Sequence, residues 1–378
     1  MTFNQLNIIQ PILNAIETAG YTQPSEIQER SIPTILNGND MIGCAQTGTG
    51  KTAAFAIPII QLMHQAPKKT KAIRTLVLTP TRELAVQINE NFNLYKGNLR
   101  LSNIAIYGGV RQQGQVKALN RGVDILIATP GRLIDLIEQG YVRLNEVEIL
   151  VLDEADRMLD MGFVNDIKKL LKYIPKKRQT LFFSATMPNK IKTFAKTILK
   201  QPKEVIVSPI SSTTESVTQT VYMVENKKKE ELLIEILRGQ KLKRSLVFTQ
   251  TKHGADKLMK TLNKIGVKTG AIHGNKSQNA RQSALEDFKS KRITVLIATD
   301  IASRGIDIDD LSFVVNYEMP NVPETYVHRI GRTGRGGNFG EAVSFCSRDE
   351  KNELRDIQKL IGFKIPINPN TSCAFHLD

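Results

Sequence analysis

Tryptophan is absent and all aromatic residues together make up 6% of the chain, which leaves little material for an extensive platform on which nucleic-acid bases stack. Cysteine is nearly absent too. Cys44, Cys346 and Cys373 are odd in number, far apart and without CxxC or Cys/His spacing, which excludes a disulfide framework and a cysteine-based zinc site. No apolar run reaches the roughly 18 residues that a membrane span needs. The opening MTFNQLNIIQ has no basic region, long apolar stretch or small-residue cleavage site, so no secretory signal and a cytoplasmic location are expected. Acidic residues are also short, 37 against 52 basic, for a formal net charge of +15, and this excess favours a polyanionic partner. Residues 1–208 carry 26 basic and 17 acidic groups and residues 209–378 carry 26 and 20, so both halves share the excess.

With 378 residues and 41% apolar side chains, the chain exceeds what one core usually organises, and two domains are expected. Short β-branched or aliphatic runs ending in Gly, Pro, Thr or Asp alternate with amphipathic stretches, the pattern of parallel sheets built from βαβ units. In the first half they fall at 41–45, 75–80, 103–109, 124–130, 149–156, 180–186 and 204–209. In the second they fall at 219–225, 245–250, 267–274, 294–300, 313–320 and 341–347. The two series match in order: TLVLTPTRELA with SLVFTQTKHGA, IAIYGG with GAIHG, DILIATPGR with TVLIATDIASRG. The fold class is therefore α/β with an internal duplication, giving domains at 1–208 and 218–378 joined by a polar Ser/Thr linker at 209–217. Only the first half contains MIGCAQTGTGKT, so one nucleotide per chain is expected.

The loop Ala45, Gln46, Thr47, Gly48, Thr49, Gly50, Lys51, Thr52 follows a strand-like run and precedes a helix-like one. In that setting backbone amides and a helix N-terminus cradle phosphates. Lys51 would neutralise the β and γ phosphates, and the Thr52 hydroxyl would ligate Mg²⁺. Ala45 stands where a strict phosphate-loop pattern has glycine. In ILVLDEAD, Asp153 and Glu154 close an apolar run, where ligands of open α/β sheets bind. Asp153 suits a Mg²⁺-bound water and Glu154 a general base orienting the attacking water; an acidic helix start is the plainer alternative. HRIGRTGR spaces three arginines by three. Arg332 and Arg335 suit an arginine finger on a developing phosphoryl charge, and an RNA-phosphate patch is the competing use. A lone phosphate loop in one half needs charge stabilisation from the other, which favours the finger.

Assembled, these segments resemble the DEAD-box RNA helicases over nearly the whole chain, from Phe3 to about Pro366. The quartet Asp153-Glu154-Ala155-Asp156 stands between AQTGTGKT and SAT at 184–186; PTRELA, GG, TPGR, GYTQPSEIQ, VFTQTK, HGNKSQNAR, ATDIASRGID and HRIGRTGR supply the remainder. The resemblance implies two tandem RecA-like domains, RNA-stimulated ATP hydrolysis with Mg²⁺, and local unwinding or remodelling of RNA. It implies an adenine-reading segment at 1–29, in which Gln28 bonds the adenine edge and Phe3 and Tyr21 line the base; a buried anchor is the other use of Phe3. Asp307 would hold the ribose. Asp156, Ser184, Thr186 and His328 would relay nucleotide state between the domains.

On the RNA side the resemblance points to Pro80, Thr81, Arg82, Gly109, Thr129, Gly131 and Arg132, with His273, Gly274, Gln278, Arg281 and Thr299 in the second half. Such contacts fall on sugar and phosphate, so little sequence preference and a strong salt dependence are expected. GYTQPSEIQ, DRMLDMGFVNDI and KKRQTLFFSATMP look closest to the bacterial RhlE-like branch. Gly336 and Gly337 stand where the family often has Ala-Gly. The ending KIPINPNTSCAFHLD supplies no basic or RNA-recognition extension, which leaves targeting to partner proteins, of ribosomes or RNA decay, or to a tail missing from this chain. A monomer without membrane contact is expected. Two rival functions are an ATP-latched RNA clamp or scaffold with little unwinding, and a DNA helicase, which Gln28 and SAT disfavour.

Overall fold

The structure is a computed structural model that describes residues 1–46, 48–67, 72–207, 217–239, 243–300, 311–334 and 340–368. Thr47, Asp307, Arg335, Gly336, Gly337, Cys373 and all but the last residue of the expected linker lie outside those described. Two compact units divide the chain, Met1–Ser208 and Pro209–Asp378. Val217, expected in the linker, is the first residue of a strand.

Among the described residues of the first unit seven strands form one sheet: β1 (Met41–Cys44), β2 (Thr75–Leu78), β3 (Asn103–Ile106), β4 (Ile125–Ala128), β5 (Ile149–Leu152), β6 (Gln179–Ser184) and β7 (Lys203–Ile206). Every pairing is parallel, in the order β3-β4-β2-β5-β6-β1-β7. Parallel sheets are covered on both faces, so their strands read as continuous apolar runs. Alternate residues of each run serve opposite cores. Val77, Ile125, Ile127, Val151, Leu181 and Phe183 pack beneath α1 (Gln10–Thr18), α2 (Glu26–Leu36), α3 (Lys51–Gln65) and α4 (Arg82–Lys96). Leu76, Leu78, Leu126, Leu150, Leu152 and Phe182 face the other way. That second face is covered by α6 (Pro130–Glu138), α7 (Ala155–Asp160), α8 (Val164–Leu171) and α9 (Asn189–Ile198), while α5 (Gln113–Asn120) lies nearer the β3 edge. Each such side chain contributes about 1.5–3 kcal/mol by leaving water.

The second unit repeats the plan with β8 (Val217–Met223), β9 (Ser245–Thr249), β10 (Thr269–Ile272), β11 (Val295–Thr299), β12 (Phe313–Asn316) and β13 (Gly340–Cys346). Its order is β10-β11-β9-β12-β13-β8, again all parallel. Numbered within each unit, both sheets read third, fourth, second, fifth, sixth, first, with β7 added at one edge of the first. The duplication seen in the sequence is thus a duplication of topology. Its helices are α10 (Lys229–Gly239), α11 (Lys252–Lys264), α12 (Gln278–Lys289), α13 (Pro323–Ile330) and α14 (Lys351–Ile361). Among the described residues no helix is long and apolar enough to cross a membrane.

The strand order positions the chemistry. In open parallel sheets ligands bind beyond the carboxyl ends of the strands, and here the neighbours β5-β6-β1 end at Asp153, Ala185 and Ala45. The other half of the sheet, β3-β4-β2, ends at Tyr107, Thr129 and Thr79. One edge of one sheet is thereby split between two sets of loops.

Candidate active site

The phosphate loop begins where Ala45 N donates to Ser184 O (3.1 Å), fixing it to β6. It ends at Gly50, the N-cap of α3, in a left-handed conformation with φ +89°. A Cβ there would stand 2.2 Å from Gln28 Nε2, so a larger residue would be strained by the backbone conformation and would also displace the Gln28 amide. Gln28 is 3% exposed, and its Nε2 donates to Gly50 O (3.2 Å) while its Oε1 accepts from Ser25 N (3.0 Å). Ser25 Oγ donates to Thr49 O (2.7 Å). The S-x-x-Q capping box that starts α2 therefore also holds the loop. Lys51 is buried and its Nζ donates to Ala45 O within its own loop. Burial lowers the Lys51 pKa, and the neighbouring charges of Asp153, Glu154 and Asp156 oppose that shift.

Asp153, 3% exposed, is pushed up to about 7 by burial and then by Glu154, with Lys51 pulling the other way. Glu154 caps α7 with φ +52°, a left-handed conformation that costs a non-glycine residue about 1–3 kcal/mol. Its N–H donates to Asp153 Oδ1 (3.0 Å), and its Oε2 accepts from Arg157 Nη1 (3.1 Å) in a pair buried on both sides. Asp156 Oδ2 accepts from both Thr186 N and Thr186 Oγ1, each at 2.9 Å, and Ser184 Oγ donates to Thr186 O (2.6 Å). The structure thus brings buried Lys51, Asp153, Glu154, Asp156 and Ser184 together with half-buried Thr186 into one polar cluster.

Phe3 and Tyr21 fare differently. Phe3 is 5% exposed within the core against α1–α4, which supports the anchoring use. Tyr21 is 39% exposed, with its ring edge-on to Tyr95 and the two hydroxyls 3.2 Å apart.

Over β3-β4-β2, Thr81 caps α4 by accepting from Leu84 N (3.3 Å) and places Arg82 in the first turn. The Arg82 guanidinium lies so close to Gly109, φ +79°, that a Cβ there would stand 2.0 Å from Nη1. Arg132 reaches Val110 O with Nη2 at 3.3 Å and Asp135 with Nε at 3.4 Å. Gly131 is exposed, while Pro80 and Thr129 are buried. Arginines from the first turns of α4 and α6 thus converge on the loop after β3.

The second unit has the same division. His273, Gly274, Gln278, Arg281 and Thr299 lie at or after the ends of β10 and β11. His273 is 1% exposed, with Nε2 3.0 Å from Asp256 Oδ1, inside ion-pair range but poorly aligned for a hydrogen bond. Asp256 also meets Lys276 Nζ (2.8 Å). Burial raises its carboxyl and the contacts from Lys276 and His273 outweigh that, leaving it below its usual range. Of the three arginines in HRIGRTGR, Arg329 is structural. It is 1% exposed, its Nε and Nη2 reach Asp300 at 2.6 and 2.8 Å, and Nη1 donates to Asn316 Oδ1 (3.1 Å). Arg332 is 3% exposed, so a phosphate reaches it only if its surroundings give way. His328 is half-buried on α13.

Residues 25–194 match the DEAD/DEAH box helicase family and residues 227–337 the helicase conserved C-terminal domain. The chain is 42% identical over 375 residues to the DEAD-box ATP-dependent RNA helicase RhpA of Helicobacter pylori, covering 98% of this chain and 75% of that one. It belongs to the DEAD-box ATP-dependent RNA helicases. The ATP-dependent RNA helicase DeaD of Escherichia coli K12 is 41% identical over 366 residues, and there the chain spans 58% of the relative's length. S. cerevisiae Dbp5 bound to RNA and ADP BeF3 superimposes with a TM-score of 0.87 at 31% identity, covering 97% of this chain and 95% of that one. Two tandem RecA-like domains follow from these likenesses and from the repeated sheet order.

Several residues that contact the candidate site residues lay outside those singled out from sequence. Arg157, the partner of Glu154, stands one helical turn on from it, a spacing that could have found it. Ser25 was visible as half of a capping box. Asp300 was visible only as part of ATDIASRGID, and Asp256 carries no local signal; their pairing with Arg329 and His273 could not be read because those partners are remote in sequence.

Proposed function

We propose that this DEAD-box helicase binds ATP on the loop 45–52 and hydrolyses it with Glu154 orienting the attacking water, in an RNA-dependent cycle that separates short duplexes locally. What supports this reading is the single buried cluster of Lys51, Asp153 and Glu154 at the ends of β1 and β5, with β6 between them. Phosphate entry would draw Lys51 from Ala45 O, since a phosphate is the stronger acceptor for a buried ammonium.

The donor set fits Mg²⁺. Among the described residues no three His, Cys, Asp or Glu side chains group to hold a metal, and Mg²⁺ is commonly bound through one carboxylate, substrate phosphates and waters rather than in an all-protein cage. The Thr52 hydroxyl and the Asp153 carboxylate would hold it, and it would neutralise charge on the β and γ phosphates. The Asp153 carboxyl, held up near 7 by burial, is a group that a cation would return to its ionised form.

Asp156, Thr186 and Ser184 connect that cluster to the segment after β6, so a displacement at the γ-phosphate is passed on through hydrogen bonds already formed. Arg332 and Arg335 of the second unit would supply transition-state charge, and Asp307 would hold the ribose. Arg82, Arg132, His273 and Arg281 would contact RNA phosphates. Gln28 would meet adenine with its second amide N–H and its second Oε1 lone pair, the first of each being engaged by Gly50 O and Ser25 N. The test is ATP hydrolysis by purified protein, followed as released phosphate, with and without RNA. RNA should raise the rate, DNA should compete poorly, and duplex separation should need hydrolysable ATP. A rate indifferent to RNA would overturn the mechanism.

A further inference from the structure

The positive charge of the first unit is concentrated in one stretch. Residues 161–203 carry eleven Lys or Arg and a single acid, Asp166, whereas the rest of 1–208 carries fifteen basic and sixteen acidic residues. The whole excess of that unit therefore lies in α8, β6, α9 and their connections. Topology sends much of it to one place. Lys172, Lys176, Lys177 and Arg178 lie between the end of α8 and the start of β6, Lys200 between α9 and β7, and Lys203 opens β7. These are the amino ends of the strands, the edge of the sheet opposite the phosphate loop.

A cavity of about 320 Å³ opens there, lined by Lys176, Arg178 and Lys200 together with Leu171 and Thr197. At its floor Asp40 is spent on the backbone, accepting from Thr180 N and Lys200 N at 2.7 Å each. Arg178 Nη1 donates to Pro175 O (2.8 Å), and its Nε is buried with no hydrogen-bond partner. Lys172, Lys176, Lys177, Lys200 and Lys203 are exposed, and Tyr173, 41% exposed, stands among them. No residue assigned to ATP or RNA lies on this edge.

We propose that this basic edge is a second RNA-binding surface, engaging backbone phosphates of RNA beyond the strand held at the helicase loops. Residues 161–203 carry one acid in forty-three, and of the acids beside them at this edge Asp40 is spent on backbone amides while Glu204 is exposed; so lysine-rich a surface is unlike a protein-docking patch, where lysine is depleted and apolar or aromatic anchors dominate. Phosphate contacts made by Lys and Arg position a nucleic acid without reading its sequence, and the exposed tyrosine offers one stacking surface among the charges. The surface would act as a tether, keeping a long RNA on the enzyme while its helicase loops release and rebind a short stretch.

The test uses the full chain with Lys176, Lys177 and Lys200 changed together to Ala, beside a charge-matched control in which the exposed Lys257, Lys260 and Lys264 of α11 are changed instead. ATP hydrolysis stimulated by a short oligonucleotide should be the same in parent and both variants, which keeps this proposal separate from the assignment of the helicase loops. Affinity for a long single-stranded RNA should fall only in the Lys176/Lys177/Lys200 variant, and the slope of log affinity against log salt should shrink by about 2, as expected for three lost phosphate contacts. An unchanged slope, or an equal loss in the control, overturns the proposal. So does a loss of polyglutamate binding in the variant with long-RNA binding intact, which would make the edge a site for acidic protein.

Discussion

Glu154 combines a strained left-handed backbone with a carboxylate already paired to Arg157. Strain held by a buried ion pair is a means of fixing a side chain where it is needed. Glu154→Gln keeps size and shape and removes basicity, so ATP and RNA binding should persist while turnover falls about 10²- to 10⁴-fold, the usual worth of general-base catalysis. Turnover at the parent rate would remove Glu154 from that role. Arg157→Ala is a harsher change. It leaves a buried carboxylate uncompensated, which costs about 3–5 kcal/mol, read as a lower urea midpoint. For Asp153, the pKa of about 7 lies above the ordinary carboxylate range, so between that range and pH 7 the folded state binds more protons than the unfolded one. Stability of the ligand-free protein attributable to this group is then present at low pH and lost as pH rises through about 7. Thermal melts of parent and Asp153→Asn should diverge, with the variant gaining on the parent from pH 5 to pH 8. Parallel curves would show that Asp153 does not titrate there.

At the scale of elements, the start of α2 serves two purposes, capping its own helix and bracing the phosphate loop through Ser25 and Gln28. Ser25→Ala should cost about 1 kcal/mol as a lost cap and, because the brace on Thr49 O goes with it, should also raise KM for ATP. A melting-temperature drop with KM unchanged would limit Ser25 to capping. The same element shows why the sequence was only partly legible. Strands, helices and the duplication could be read because buried parallel strands must be apolar throughout and the turns after them carry Gly, Pro and Thr. Loops such as 45–52, 153–156 and 184–186 could be read because phosphate chemistry constrains a few residue types at short spacing. Other features needed the third dimension. Phe3 reads from sequence as either a base-lining ring or a buried anchor, and only the structure shows its burial in the core. Arg329 and Arg332 are indistinguishable by spacing, yet Arg329 is committed to Asp300 and Asn316. The basic edge of the first unit is invisible in the charge of each half, because an even total hides where the charges sit.

Across the whole molecule, two copies of one sheet order carry unequal equipment. The first has the phosphate loop, which has no counterpart in the sequence of the second; in the second, His273, Gly274, Gln278, Arg281 and Thr299 lie at or after the ends of β10 and β11, the strands that correspond to β3 and β4. If ATP and RNA each engage residues of both units, binding either one restricts the freedom of the units, and the other then pays less of that entropy. The coupling must be reciprocal, because affinities around a closed cycle are not independent. A non-hydrolysable ATP analogue should tighten RNA by some factor within about 5- to 150-fold, and saturating RNA should tighten the analogue by the same factor. Titrating each ligand with the other absent and then saturating gives both numbers, by fluorescence anisotropy for a labelled short RNA and by a labelled analogue for the nucleotide site. Weakening Asp156's hold on Thr186 by Thr186→Val, which removes the hydroxyl bond and keeps the one from Thr186 N, should reduce both factors together, since that contact links the nucleotide cluster to the rest. A factor of one in the parent would mean the duplicated units bind their ligands independently, and an RNA-dependent ATPase rate would then need another origin.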